Sequence, residues 1–243
     1  MRLIVLFCAM FAALPALSNQ PLNKTITLAS AKDWKPYIYV NAQGKVAGTD
    51  YDLLRKTLQQ SDVTLRTENL PEQRLAKLIE EGSVGVILGA AFTTDRHKHN
   101  YFSIPYRRET IVLGFRRSRH SAYSKASITD VLAADKLVAL NRSGWFGEVL
   151  SDQLLTRYNN NIVHAEGTQR RLQLLMLDRV DAVVGDVDVL MAGALELGID
   201  DFAVSEIPIH QTDVHFMFGH KQVTAAFVQQ FNQSLAALIT PAT

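Results

Sequence analysis

The sequence predicts an α/β fold in which short, mostly parallel strands alternate with helices. Short apolar runs alternate with segments of helical periodicity, a pattern that is typical of parallel sheets covered by helices. The run 84–90 is apolar throughout, which indicates a strand buried on both faces. The segment 103–117, which holds a proline and two arginine pairs, separates two such series, and we expect it to cross between two lobes.

The first series of elements has clear helix starts and ends. Asp50 or Asp52 is placed to cap the first turn of one helix, and Gly82 ends the next helix. An alternating segment between the two helices is typical of a strand. The predicted strands are 25–29, 63–67 and 84–90, and the predicted helices are 51–60 and 72–81.

The second series repeats this alternation and ends in an amphipathic helix. Apolar residues at Phe227, Phe231, Leu235 and Leu238 share one face of that helix. The predicted strands are 111–115, 136–140, 161–165, 181–184, 202–207 and 214–218, and the predicted helices are 128–134, 147–158, 168–178, 187–197 and 223–238.

The N-terminal residues 1–18 are typical of a cleaved secretory signal peptide. A basic start at Arg2 precedes an apolar run at 3–14, and Ser18 completes a small-residue cleavage site. A retained membrane anchor is the alternative, but a run of roughly 12 residues is short for a span of about 20. The only cysteine, Cys8, lies inside this segment, so we expect a soluble periplasmic protein without disulfides.

Composition and motifs argue against several classes of protein. After residue 18 the chain holds 24 basic and 24 acidic residues, so no basic excess points to nucleic acid or an acidic membrane. Neither a dinucleotide glycine fingerprint nor a phosphate-binding loop is present in the sequence. His97 and His99 have a poor spacing for a metal site, and no serine lies in a nucleophile elbow. We therefore expect no metal, no cofactor and no catalytic activity.

Two charged residues follow predicted strands, where open α/β sheets bind their ligands. Arg96 follows the apolar strand, and its planar guanidinium suits a carboxylate, although a solvated loop arginine is the alternative. Asp186 follows the strand 181–184, where its carboxylate would accept an ammonium group or simply cap the next helix.

Aromatic and turn residues after other strands complete the candidate set. Trp34 and Tyr37 follow the first strand and offer flat walls for a ligand, or ordinary core packing. Ser143, Gly144 and Trp145 precede a helix whose free N–H groups would bind an anion, or form a plain turn.

Taken together, these residues resemble the bacterial extracellular solute-binding proteins of family 3, the polar amino-acid type. The resemblance covers the whole chain after the signal peptide, and the shared order and spacing of short motifs make it specific. The motifs are Trp-Lys-Pro-Tyr at 34–37, Gly-Thr-Asp-Tyr-Asp-Leu at 48–53, Thr-Thr-Asp-Arg at 93–96, Phe-Ser-Ile-Pro-Tyr at 102–106 and Arg-Val-Asp-Ala-Val-Val-Gly-Asp at 179–186.

The resemblance implies a two-lobed periplasmic-binding-protein fold of type II, with two crossing hinge strands. Each lobe would hold a mostly parallel sheet flanked by helices; residues 19–110 and 208–243 would form lobe 1, and residues 111–207 lobe 2. Arg96 matches the arginine that binds the ligand α-carboxylate, beside Ala91 and Thr93, and Asp186 matches the aspartate that takes the α-ammonium group.

The implied function is capture of an amino acid or similar zwitterion by a monomer, followed by delivery to a membrane ABC transporter. A sensory protein that presents its closed form to a receptor and a dehydratase-like enzyme are the alternatives. Two departures from the family pattern bear on ligand identity. Ala91 replaces a usual Ser or Thr, and Arg-Ser-Gly-Trp at 142–145 replaces a usual Gly-Ser/Thr-Thr turn.

Overall fold

The structure is a computed structural model that describes residues 25–30, 33–141, 145–150 and 152–240. The predicted signal peptide lies outside the described residues, as do Ser143 and Gly144. The strands are β1 (Thr25–Ser30), β2 (Asp33–Trp34), β3 (Ile38–Val40), β4 (Val46–Ala47), β5 (Thr64–Asn69), β6 (Val86–Ala91), β7 (Asn100–Phe102), β8 (Arg107–Phe115), β9 (Val138–Leu140), β10 (Ile162–His164), β11 (Ala182–Asp186), β12 (Ala203–Val204) and β13 (His210–Gly219). The α-helices are α1 (Thr49–Leu58), α2 (Glu72–Glu80), α3 (Thr94–His97), α4 (His120–Tyr123), α5 (Ile128–Ala133), α6 (Asp152–Arg157), α7 (Thr168–Met176), α8 (Val187–Glu196) and α9 (Ala225–Ile239).

Most strands join one large sheet in the order β10-β9-β11-β8-β13-β6-β1-β5. Neighbours at both ends of this sheet are parallel, while the pairs β11–β8, β8–β13 and β13–β6 in the middle are antiparallel. Strands β2, β3 and β4 form a separate small antiparallel sheet. The predicted α/β class, with parallel strands connected through helices, is confirmed.

The two long strands β8 and β13 cross the middle of the sheet together. They pair from Arg107 with Val214 to Ile111 with His210. Beyond this shared stretch β8 pairs with β11, and β13 pairs with β6. Each strand begins four residues before its predicted start, because the first residues of both strands are polar and break the apolar pattern.

The buried apolar residues form separate clusters on the two sides of this crossing. One cluster combines residues 26–88 with residues 216–235, so the first and last parts of the chain share a core, here called the first half. Two further clusters lie within residues 111–202 and form the second half. The amphipathic helix α9 packs on the first half through Phe227, Phe231 and Leu235.

Several local predictions are corrected by the structure. Helix α1 begins after Gly48, whose φ of +134° and close approach to the Tyr37 carbonyl leave no room for a side chain. Asp50 therefore does not cap this helix and bonds to tertiary partners instead. The predicted helix 147–158 is a 3₁₀ turn at Glu148–Leu150 followed by α6, and the predicted strand 202–207 is only β12. Within the described ranges, no helix has both the length and the apolar character needed to cross a bilayer.

Candidate functional site

Arg96 lies just beyond the end of β6 on the short helix α3. The Thr93 hydroxyl accepts a hydrogen bond from the Arg96 backbone N–H at 3.2 Å and caps this helix. Nη1 of Arg96 donates to the Ala91 carbonyl at 3.1 Å, while its other side-chain donors bond to none of the described residues. Burial lowers the pKa of Arg96, opposed by the nearby Glu109 carboxylate. This guanidinium is anchored on one side and keeps donors for an anion on the other.

Asp186 ends β11 and is only 5% exposed. Its Oδ1 accepts from the backbone N–H groups of Asp188 at 3.1 Å and Val189 at 3.2 Å, so the predicted capping of α8 is confirmed. The same oxygen accepts from the Tyr37 hydroxyl at 3.0 Å. Oδ2 accepts only the Thr110 N–H, at 3.3 Å, from within the described chain. The cap therefore uses Oδ1 and leaves Oδ2 able to accept a further hydrogen bond.

Tyr37 connects the two halves of the molecule. Its hydroxyl lies 3.0 Å from Oδ1 of Asp186 and 3.0 Å from Oδ2 of Asp188, both at the start of α8. Lys35 forms a second link, with its Nζ 2.6 Å from Oε1 of Glu196 at the end of α8. The segment between β2 and β3 thus contacts both ends of one helix in the second half.

Arg107, at the start of β8, is a site residue that the sequence analysis did not select. Its Nε donates to Asp50, at 3.2 Å from Oδ1 and 3.0 Å from Oδ2. The guanidinium carbon lies 3.6 Å from the centroid of the Tyr37 ring and 5.3 Å from that of Trp34. The Asp50 carboxylate also accepts from the Tyr106 hydroxyl at 2.5 Å. The two aromatic rings predicted as ligand walls therefore flank an arginine of the protein itself.

Glu109, two residues further along β8, is a second residue missed from the sequence. It is 8% exposed, and its side-chain carboxyl group makes no hydrogen bond within the described part of the chain. Burial raises its pKa to about 7; the Asp186 charge adds to this, whereas Arg107 and Arg96 oppose it. The charges from both halves thus act on one buried carboxyl group. The alternation of β8 was the available signal, because Arg107 and Glu109 share one strand face.

Trp145, in the second half, packs edge-to-face against His210 of β13 with ring centroids 4.5 Å apart. His210 is paired with Ile111, so this aromatic contact lies on the crossing strands. Ser143 and Gly144 lie outside the described residues, and the anion-binding turn stays a prediction. Over the described ranges, no group of three or more His, Cys, Asp or Glu side chains is arranged to hold a metal ion.

The family model for bacterial extracellular solute-binding proteins, family 3, matches residues 26–242. This chain belongs to that family. The match confirms the resemblance drawn from the sequence motifs, and it covers every described element of this family 3 protein apart from the first residue of β1.

Similar proteins agree on the fold of this family 3 member. A probable histidine-binding protein of Neisseria gonorrhoeae is 24% identical over 184 residues, which cover 74% of this chain and 64% of that protein. The chain thus spans less than two thirds of the length of this relative. A histidine kinase sensor domain aligns with a TM-score of 0.75 at 21% identity, over 90% of this chain and 92% of the domain. Arginine-bound ArgBP from T. maritima aligns with a TM-score of 0.72 at 20% identity, over 88% and 96%.

Proposed function

We propose that this protein captures an amino acid, or a similar small zwitterion, between its two halves. The observation that carries the proposal is the position of Arg96 and Asp186 in different halves, each next to the crossing strands. Arg96 follows β6, whose last residue Ala91 pairs with β13, and Asp186 ends β11 where it pairs with β8. Arg96 keeps side-chain donors, and Asp186 keeps acceptor capacity at Oδ2. A ligand with one carboxylate and one ammonium group matches this pair of opposite charges.

In this proposal the ligand α-carboxylate binds Arg96, and the α-ammonium group binds Oδ2 of Asp186. Charge-assisted hydrogen bonds of this kind contribute about 1.5–3 kcal/mol each. Ala91 and Thr93 lie beside the carboxylate, Trp34 and Tyr37 border the ligand, and the predicted contacts of Ser143, Gly144 and Trp145 come from the second half.

Closure of the cleft follows from this two-sided binding. A ligand that touches both halves only when they are together shifts the population toward the closed form. The strands β8 and β13 are the proposed hinge, because they pair with each other while β8 also pairs with β11 of the second half and β13 with β6 of the first half. We propose residues 19–110 and 208–243 as one lobe and residues 111–207 as the other.

The proposed role is that of a monomeric periplasmic protein that delivers its ligand to an ABC transporter. Family 3 membership and the named histidine- and arginine-binding relatives support an amino-acid ligand. Sensing is the alternative, since one similar structure is a histidine kinase sensor domain. Ligand-dependent uptake through a partner permease would separate these roles. Recovery of the ligand chemically unchanged would support binding without catalysis.

Thermal unfolding against a panel of amino acids tests the proposal. A ligand that binds only the folded state at about 100 times its Kd stabilises it by about 2.7 kcal/mol, which raises the Tm. We expect this rise for the wild type and its loss in Arg96→Ala. Arg108→Ala is the matched control, because Arg108 is 65% exposed, faces away from Arg107 and only pairs with Asp213 at 3.5 Å. An unchanged response of Arg96→Ala would contradict the proposal.

A further inference from the structure

Arg107 carries two buried donors that nothing in the described chain accepts. Its Nη1 and Nη2 atoms are inaccessible to solvent and have no hydrogen-bond partner among the described residues. A buried polar group left without a partner costs about 1–3 kcal/mol, and a charged group costs more. An acceptor supplied by a bound molecule would remove this cost.

The guanidinium is held in one orientation by a chain of contacts. Nε is used by Asp50, which is fixed in turn by the Tyr106 hydroxyl. The Tyr106 hydroxyl also accepts the Gly89 N–H at 2.9 Å. Because Nε is occupied, the donors that remain for a second partner are those on the Nη1–Nη2 edge of the guanidinium. Such an edge presents two parallel donors, which suit a carboxylate or a carboxamide oxygen.

The absence of a side chain at Gly89 makes room for the Arg107 guanidinium in this orientation. Its φ is +60°, and a Cβ atom there would overlap the Trp34 ring and lie 2.9 Å from Nη2 of Arg107. A glycine therefore lets the indole ring and the guanidinium occupy the same corner of the site.

Arg107 also lies beside the proposed zwitterion site. The ring of Tyr37 stacks on the Arg107 guanidinium, while the hydroxyl of the same residue contacts Asp186. One tyrosine side chain thus separates Arg107 from the proposed ammonium site. A small amino acid could therefore place its ammonium group at Asp186 and its side-chain group at Arg107.

The aromatic faces near this site are already used by a cation of the protein. A ligand with a cationic side chain would gain from stacking on Tyr37 or Trp34. The Arg107 guanidinium covers the Tyr37 face at 3.6 Å, and a second cation placed there would be repelled. A cationic ligand side chain would therefore find the Tyr37 face occupied by the Arg107 guanidinium.

We propose that Arg107 is a specificity-determining residue that binds an acceptor oxygen of the ligand side chain. The ligand class is then an amino acid whose side chain ends in a carboxylate or a carboxamide. This inference rests on the proposed function, because it assigns the side-chain end of the same zwitterion.

Isothermal titration calorimetry with glutamate, glutamine, aspartate, asparagine, arginine, lysine, histidine and alanine tests the inference. One charge-assisted hydrogen bond of about 1.5–3 kcal/mol corresponds to roughly 10- to 150-fold in Kd. We expect the wild type to bind at least one acceptor-bearing amino acid more tightly than alanine by a factor in this range, and more tightly than any cationic one. The double variant Arg107→Met/Asp50→Asn removes both members of the ion pair, so no lone charge stays buried. In this variant the acceptor-bearing amino acids should bind no more tightly than alanine does to the same variant, so that the preference is lost.

The possible results separate the two proposals. Tightest wild-type binding of a cationic amino acid or of alanine would overturn the inference and leave amino-acid capture standing. The same holds if the double variant keeps the wild-type preference. Binding of no amino acid at all would overturn the proposed function and this inference with it. If the double variant does not fold, as judged by circular dichroism, the wild-type ranking decides.

Discussion

Asp186 has two roles in our description, and a pair of substitutions separates them. Its Oδ1 caps α8 and accepts the Tyr37 hydroxyl, whereas Oδ2 is the proposed partner of the ligand ammonium group. Asp186→Asn keeps an oxygen for the cap but removes the negative charge. Asp186→Ala removes the cap as well.

The structure gives a magnitude for each role. Loss of a capping side chain costs about 0.5–2 kcal/mol, and alanine also lacks the oxygen that accepts the Tyr37 hydroxyl. Asp186→Ala should therefore be less stable than Asp186→Asn by at least about 0.5–2 kcal/mol. The asparagine itself loses the Thr110 N–H bond at Oδ2, which contributes about 1 kcal/mol. Truncating one partner of a buried charge pair costs about 2–5 kcal/mol, so both variants should bind the ligand roughly 30-fold to several thousand-fold more weakly.

Urea unfolding measures the stability term, and calorimetric titration at constant pH measures the binding term. Binding by Asp186→Asn within about threefold of the wild type would refute the ammonium assignment. Equal stability of the two variants would refute the energetic role of the cap.

Three further outcomes are expected. Burial raises the pKa of Glu109 from 4.5 to about 7. Between these two pH values the folded protein keeps a proton on Glu109 that the unfolded chain releases. The free energy of unfolding should therefore fall as the pH rises from 4.5 to about 7. Urea unfolding at about pH 5 and about pH 8 should show a loss on the order of 3 kcal/mol that Glu109→Gln lacks. Gly89→Ala should lower the free energy of unfolding by about 2 kcal/mol or more, because φ is +60° and Cβ would meet Trp34; Gly198→Ala, at φ +64° in open space, should cost about 1 kcal/mol in the same assay. Leu235→Ala, at a fully buried position, should cost about 2–5 kcal/mol by chemical denaturation, and a cost below 1 kcal/mol would contradict the assigned core.

The sequence predicted the elements where local patterns were strong. The buried strands β6 and β11 and the amphipathic helix α9 all lie close to their expected positions. Asp186 was found because a polar residue between an apolar strand and a helix has few local roles. The small sheet of β2, β3 and β4 was not predicted, because strands of two or three residues have no periodicity to detect.

The contacts of Trp34 and Tyr37, the predicted ligand walls, were not predictable from local sequence patterns. Trp34 and Tyr37 were selected as aromatic residues after a strand, which says nothing about what lies against their faces. Arg107, which covers the Tyr37 ring, is 70 residues away in the chain and lies in a basic run that marked only the crossing segment.

The sequence by itself determined the α/β class, the family and the positions of Arg96 and Asp186 at strand ends. Those features depend on periodicity, caps and motif spacing, which are local along the chain. Only the tertiary structure decided that Arg107 pairs with Asp50 and that Glu109 is buried among charges from both halves. Such pairings form only when the crossing strands bring distant segments of the chain together. Burial of these groups then shifts their pKa values, which no local sequence pattern records.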